Sequence, residues 1–399
     1  MTTPNPLSAN AQRMHAVFRT TRITWVWAAG LWALVEVVLV AWAVIVHRAS
    51  SGAAAFFAHH DWFFRLFFHW DSDYFAGIAK AGYFGPSSVA TWPAFFPGYP
   101  LSTRLVTTLA GVPHPTITQL ALAMWGVATL SSLVATLVFA RLVEDQYGRR
   151  SAIAATALFV AGPYALFLHA SYSEPLFLAF AIGAWLLARR GNWVGAGLLA
   201  AGASATRING VFLVLAIVVL FVVERTRSHQ PYLGRAVGMA AIGLAGCGAY
   251  FVYLFANTGE PLAWQNAEFL GWKRQFELPW STFMATVDKV LHPVHWADRA
   301  QSILEIVFAA IFIGALAILI RRRMWAEATL VGVTVLSLMT SSTYISLART
   351  SLVLFPLPIL AMTALRSRRW KWVYWLVLGA GIALLLFNTR QFTLGLWAD

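Results

Sequence analysis

The sequence predicts an all-α polytopic membrane protein of about eleven transmembrane helices, with a large external loop after the first. Three observations predict it. Of 399 residues, 59% are hydrophobic and only 11% are charged, where a soluble domain carries about a quarter. Apolar runs of about 17–25 residues recur along the chain, long enough to cross a hydrocarbon core as helices. The net charge of +13 is also unevenly spread, its excess falling in short connectors.

The candidate spans lie near 23–46, 117–140, 151–169, 174–188, 193–206, 207–223, 236–256, 302–320, 326–343, 351–365 and 372–387. Residues 94–112 are interrupted by Pro97, Pro100 and Arg104 and predict a re-entrant or partly inserted helix. Residues 1–22 are polar, with Arg13, Arg19 and Arg22. The run after them is too long for the core of a signal peptide, so no cleavable signal is expected. The single cysteine, Cys247, falls mid-span, which excludes an intramolecular disulfide and predicts inert packing. With no short repeat and no low-complexity linker, residues 1–399 read as one membrane-embedded domain preceded by a cytoplasmic tail over 1–22.

The tail and the connectors 141–150, 189–192, 224–235, 321–327 and 366–371 hold 18 of the 29 basic residues and four of the 16 acidic ones. That is the positive-inside pattern, and it makes nucleic acid a poor partner for this charge. The N-terminus is then cytoplasmic and the C-terminus external. External segments run over about 47–116 and 257–300, with tight turns at 169–175, 205–210 and 341–350 between and after them. Every polar cluster of interest thus faces one side, and acids near a span are costly unless they serve something.

Asp71 has two readings. It is a helix N-cap, the usual work of Asp at such a boundary, or a general base for a hydroxyl nucleophile in a shielded site. Asp73, two residues on, points to a different face of any helix and need not share that role. Arg207 sits inside an apolar stretch over 193–223, which suits two half-spans broken near Asn209 and Gly210. A broken span exposes backbone amides, and beside an Arg it makes a phosphate site. The other reading is an arginine that snorkels to the interface. Glu174 fits a first helical turn capped by Ser173, with Pro175 beside it, and capping accounts for it. Glu36, inside the first run, reads as paired within the bundle. Trp264, Gln265, Trp272, Lys273 and Arg274 form an aromatic and basic mixture suited to a lipid headgroup, a sugar or a plain interfacial belt. His69, His114, His169, His292 and His295 are too scattered to argue for a metal, and no P-loop, HExxH or CxxC occurs.

The segments HWDSDYFAGIAKAGY (69–83) and AFFPGYP (94–100) resemble the first lumenal loop of the PIG-V family of mannosyltransferases, with its WD, GY and AFFP elements. SYSEPLF (171–177) is similar to that family's SYSE motif, and ATRINGV (205–211) to its R-x-N-G motif. PLAWQNAEFLGWKR (261–274) resembles a later loop, and LARTSLVLFPLPILA (347–361) its R-x-x…P segment. The resemblance implies a GT-C-like helical bundle that uses a polyprenyl-phosphate-mannose donor on the non-cytoplasmic face, with inversion. It gives Asp71 the role of base, and makes Arg207 and Arg349 the candidates for the donor phosphate. Asp73, Tyr83, Glu174, Asn209, Trp264, Gln265, Lys273 and Arg274 are the candidates for substrate binding. No metal or other cofactor is implied, and the expected partners are the donor, a membrane lipid or glycan acceptor and the bilayer. Basic inner loops, short outer loops and the near absence of cysteine favour a bacterial plasma membrane. A transporter or flippase of a lipid-linked sugar is the alternative, since it also needs charges at an outer-face site.

Overall fold

A computed structural model describes residues 6–51, 66–227, 233–396 and 398. Residues 52–65 of the first expected loop, and 228–232 of one basic connector, lie outside the described residues. The chain is helical, with no strand among the described residues. In order, α1 (Pro6–Ser51), α2 (Asp71–Ala81), α3 (Gly98–Leu109), α4 (Ile117–Tyr147) and α5 (Arg149–Val160) lead to α6 (Glu174–Arg189) and α7 (Trp193–Thr206). Then follow α8 (Asn209–Arg227), α9 (Leu233–Thr258), α10 (Ala263–Trp272), α11 (Pro279–Leu291) and α12 (Trp296–Arg321). The chain ends with α13 (Trp325–Met339), α14 (Pro356–Met362) and α15 (Lys371–Thr393).

Six of these helices, α1, α4, α8, α9, α12 and α15, are long and apolar enough to cross a bilayer. Each of the eleven expected runs is helical, but five of them differ in length from a full span. The run over 151–169 stops at Val160 and resumes as a 3-10 turn over Ala165–Leu168. α6, α7, α13 and α14 have 16, 14, 15 and 7 residues, against about 20 for a straight crossing. α1 differs the other way: its helix begins at Pro6, well before the apolar run, and carries the expected tail.

Packing relies on close approach of small residues, as expected where apolar burial alone does not distinguish helix from lipid. α7 and α9 touch so closely that a Cβ on Gly246 would overlap the carbonyl of Ala201. Ser204 on α7 adds a polar link there, donating to the Gly243 carbonyl at 2.7 Å and accepting from the Cys247 N–H at 3.2 Å. Large rings fill the rest of the core. Phe139 and Phe159 stack at 4.7 Å, and Trp185 meets Phe355 edge-on at 5.5 Å. Glu36 on α1 pairs with the buried His169 ring, so its place is within the bundle.

α6 fixes the polarity of the molecule. At its C-terminal end Arg189 pairs with Glu327 and Arg190 lies 2.7 Å from Asp145. Three basic connectors are thus tied together there. Glu174 opens the other end, about 22 Å away at the rise of an α-helix. On that far side two short helices turn their polar faces inward. Thr103 and Thr107 of α3 are buried while Leu101, Leu105 and Leu109 are exposed, and α11 likewise buries Thr282 and Thr286 while exposing Trp280, Met284 and Leu291. Within 94–112 the helix is the 12-residue α3, with an apolar outer face.

The α7–α9 contact yields a first expectation. Gly246→Val should lower the thermal unfolding midpoint in detergent, at a cost of about 1–3 kcal/mol for overpacking. Gly248→Ala, at a position with open space on the same helix, should leave the midpoint unchanged.

Candidate active site

The start of α2 is set by contacts to a distant loop. Trp70 has φ 57°, an uncommon backbone for a residue with a Cβ, and it turns the chain sharply into the helix at Asp71. The turn is held from outside. Ser72 Oγ donates to the Ser171 carbonyl at 3.1 Å, the Tyr172 hydroxyl donates to the His69 carbonyl at 3.2 Å, and the Asp71 N–H donates to that hydroxyl at 3.3 Å. Asp71 is the first residue of α2, with Trp70 in the cap position and no side-chain cap present. The N-cap reading of Asp71 therefore does not hold.

Glu174 starts α6 from the same loop and is 1% exposed. Ser173 occupies the cap position without a capping bond; its hydroxyl instead accepts from Arg207 at 2.9 Å. Capping does not account for Glu174 either, because its Oε1 lies 2.9 Å from Arg207 Nη1 and 3.5 Å from Arg349 Nε. Arg349 Nη1 in turn lies 3.6 Å from Asp71 Oδ2. The Arg349 guanidinium also stands over the Phe167 and Tyr172 rings at 4.9 and 5.7 Å. The four charges form one chain, Asp71–Arg349–Glu174–Arg207.

Arg207 reaches this position because the apolar stretch over 193–223 is broken. α7 ends at Thr206, Arg207 is extended (φ −154°, ψ 151°), and α8 begins at Asn209. The break is tight. Gly210 packs on the Ser204 backbone with no room for a Cβ, and a Cβ on Gly98 would approach Thr206 Oγ1 to 2.5 Å. Paired with a buried acid, Arg207 is not a snorkelling side chain.

These groups open onto a cavity of about 460 Å³. Asp71, Arg207, Asn209, Trp264, Gln265, Arg274 and Arg349 all line it, with Phe95, Trp272 and the hydroxyl-bearing residues Thr334, Ser337, Thr340, Ser341 and Thr350. Glu174 stands behind the two arginines. Three expected binding residues are elsewhere. Asp73 is exposed, because two residues of helix rotate it well away from Asp71. The Tyr83 hydroxyl is committed to the Phe95 carbonyl at 2.7 Å. Lys273 takes a left-handed conformation at the end of α10, and its ammonium lies over the Phe269 ring at 5.2 Å. No three His, Cys, Asp or Glu side chains converge as a metal site among the described residues.

One wall residue has no place in the readings above. Glu268 lines the cavity 3.5 Å from Arg274. Burial pushes its carboxyl above the usual range, opposed by Arg274 and Arg207. Its signal was helical spacing: Trp264, Glu268 and Trp272 recur at i, i+4 and i+8 and share one face of α10. The hydroxyl wall has no such signal.

Residues 40–227 match the family model described as mannosyltransferase (PIG-V). The chain is 33% identical over 146 residues to GPI alpha-1,6-mannosyltransferase 2 of Rattus norvegicus and to that of Mus musculus. It is 31% identical over 147 residues to the Homo sapiens protein. Each alignment covers 36% of this chain and 29% of the relative. No solved structure matches. The matched segment supplies Asp71, Glu174 and Arg207, and ends before the Arg274 and Arg349 side of the cavity. Over residues 40–227, just under half of its length, the chain is similar to the PIG-V family model.

Proposed function

We propose that the protein is an inverting mannosyltransferase that moves mannose from a polyprenyl-phosphate-mannose to a hydroxyl of a membrane lipid, glycan or protein. The observation that carries this reading is the charge chain Asp71–Arg349–Glu174–Arg207 at the wall of one cavity. Asp71 takes the proton of the acceptor hydroxyl as its oxygen attacks the anomeric carbon. The bond from that carbon to the phosphate oxygen breaks, and the electron pair leaves with the lipid phosphate. Arg207 and Arg349 receive the charge, as preorganised cations do where water is scarce. Glu174 holds both guanidiniums in place without entering the reaction. Before the donor arrives Arg349 pairs with Asp71, so the phosphate competes for that guanidinium and frees the base.

Trp264, Gln265, Glu268 and Trp272 of the cavity wall offer aromatic and polar contacts to a sugar. The residues that carry this chemistry sit at the end of α6 opposite the basic connectors. Together with the positive-inside pattern, that supports an external active site in a bacterial plasma membrane with a cytoplasmic N-terminus.

Transfer from radiolabelled undecaprenyl-phosphate-mannose into a membrane lipid extract tests the proposal. Asp71→Asn should lose a factor of about a hundred to ten thousand in rate while the protein inserts and folds. Near-normal turnover by that variant would remove the base. Movement of the labelled lipid between leaflets with no product would instead favour a flippase.

Arg207 gives a second expectation. A planar fork suits phosphate in a way an ammonium does not. Arg207→Lys should lower transfer by about tenfold or more with the donor present at saturation. It is a cleaner probe than Arg207→Ala, which leaves the buried Glu174 one cation fewer and threatens the fold. Unchanged donor affinity and rate in Arg207→Lys would place the phosphate elsewhere.

A further inference from the structure

One buried acid has no part in the reaction above. Glu305 lies on α12, inside the span that runs over Asp298–Arg321, and is 1% exposed. An acid at such depth is costly and marks a functional site by default. Its Oε2 accepts the backbone N–H of Ala348 at 2.8 Å, and Ala348 immediately precedes Arg349.

The segment it holds is a compact turn. The Thr350 N–H reaches the carbonyls of Ser346 and Leu347 at 3.2 and 3.1 Å, and the Ser351 N–H reaches that of Ala348 at 3.1 Å. Ser346 enters the turn with φ 59°, a conformation that persists in a residue with a Cβ only where the surroundings enforce it. The Glu305 carboxyl supplies part of that enforcement, since its oxygen takes a buried backbone N–H that is expensive to leave unpaired. Arg274 Nη2 lies 3.4 Å from the Ile345 carbonyl and Thr286 Oγ1 accepts the Tyr344 N–H at 3.1 Å. Glu305, Arg274 and Thr286 thus all hold the turn, which brings Arg349, with Ser346 and Thr350, to the cavity.

We infer that Glu305 is a positioning residue: by binding the Ala348 N–H it fixes the turn that keeps the Arg349 guanidinium between Asp71 and Glu174. The inference rests on the proposed role of Arg349 at the donor phosphate. It separates Glu305 from a residue that merely supports folding, because its effect must pass through Arg349.

Binding of undecaprenyl phosphate to the purified full-length protein tests this. Glu305→Ala should weaken binding by about tenfold, the scale of a misplaced positioning contact. In an Arg349→Ala background the same substitution should cost nothing further, as coupled residues on one path do. Glu305→Gln keeps an oxygen that can accept the Ala348 N–H and should recover most of the affinity. Equal losses in both backgrounds, or wild-type binding by Glu305→Ala, would overturn the inference. Should Glu305→Ala not fold, Glu305→Leu, which fills the space but offers the Ala348 N–H no acceptor, carries the same cycle at about the same tenfold.

If Arg349→Ala itself binds undecaprenyl phosphate as wild type does, the phosphate role of Arg349 fails. Positioning is then read from the thermal coupling between Asp71 and Arg349 in a double-mutant cycle. That coupling should be present with Glu305 and vanish in Glu305→Ala; persistence there would overturn the inference independently.

Discussion

One carboxylate, that of Glu174, holds the candidate site together. It is 1% exposed and takes Arg207 on one side and Arg349 on the other. Neither arginine is near it in sequence. A buried charge is costly unless paired with its opposite, so the start of α6, the break between α7 and α8, and the turn at 349 must meet. Asp71 is bound into the same arrangement through Arg349 and through the Tyr172 and Ser171 contacts of the loop that carries Glu174. Without that acid, two guanidiniums would face each other across a poorly solvated gap, and like charges there repel.

The shortness of several helices follows from the same demand. A helix that crosses the whole bilayer satisfies its own backbone and leaves no room for a polar cluster midway along it. α6 begins at the site, α7 ends at it and α8 begins again beside it, so backbone termini and side-chain charges share one end of the bundle. Irregular backbone at such depth is tolerated where it lines a cavity or is covered by protein. The close α7–α9 approach and the ring-filled core supply the covering.

Much of this was legible in the sequence, for identifiable reasons. The helical class follows from composition, and the α7–α8 break from an apolar stretch too long for one span and too short for two. Asp71 and Arg207 stand in motifs whose residue types are conspicuous in an apolar chain. Glu174 was visible too, but an acid followed by Pro at a helix start has an adequate local explanation, and only the fold shows two distant arginines converging on it. Asp73, Tyr83 and Lys273 do not line the cavity, because proximity in sequence does not fix the direction of a side chain. Glu268 was available from periodicity alone. The hydroxyls over 334–350, and Glu305 beneath them, carry no pattern, since a Ser or Thr in an apolar run looks the same whether it faces lipid, a neighbour or a cavity.

The charges around the cavity are Asp71, Glu174 and Glu268 against Arg207, Arg274 and Arg349, which formally cancel. A neutral constellation projects little field into the surrounding water, so it lacks the steering by which strongly cationic clefts gather anions from solution. Its guanidiniums act at contact range alone. Dissolved anions therefore gain nothing from the site at a distance, while the lipid phosphate of the proposed donor would arrive by lateral diffusion beside the arginines. Under the proposed reaction, preference for a membrane-borne anion over the far more varied soluble ones would then be a property of the charge balance itself.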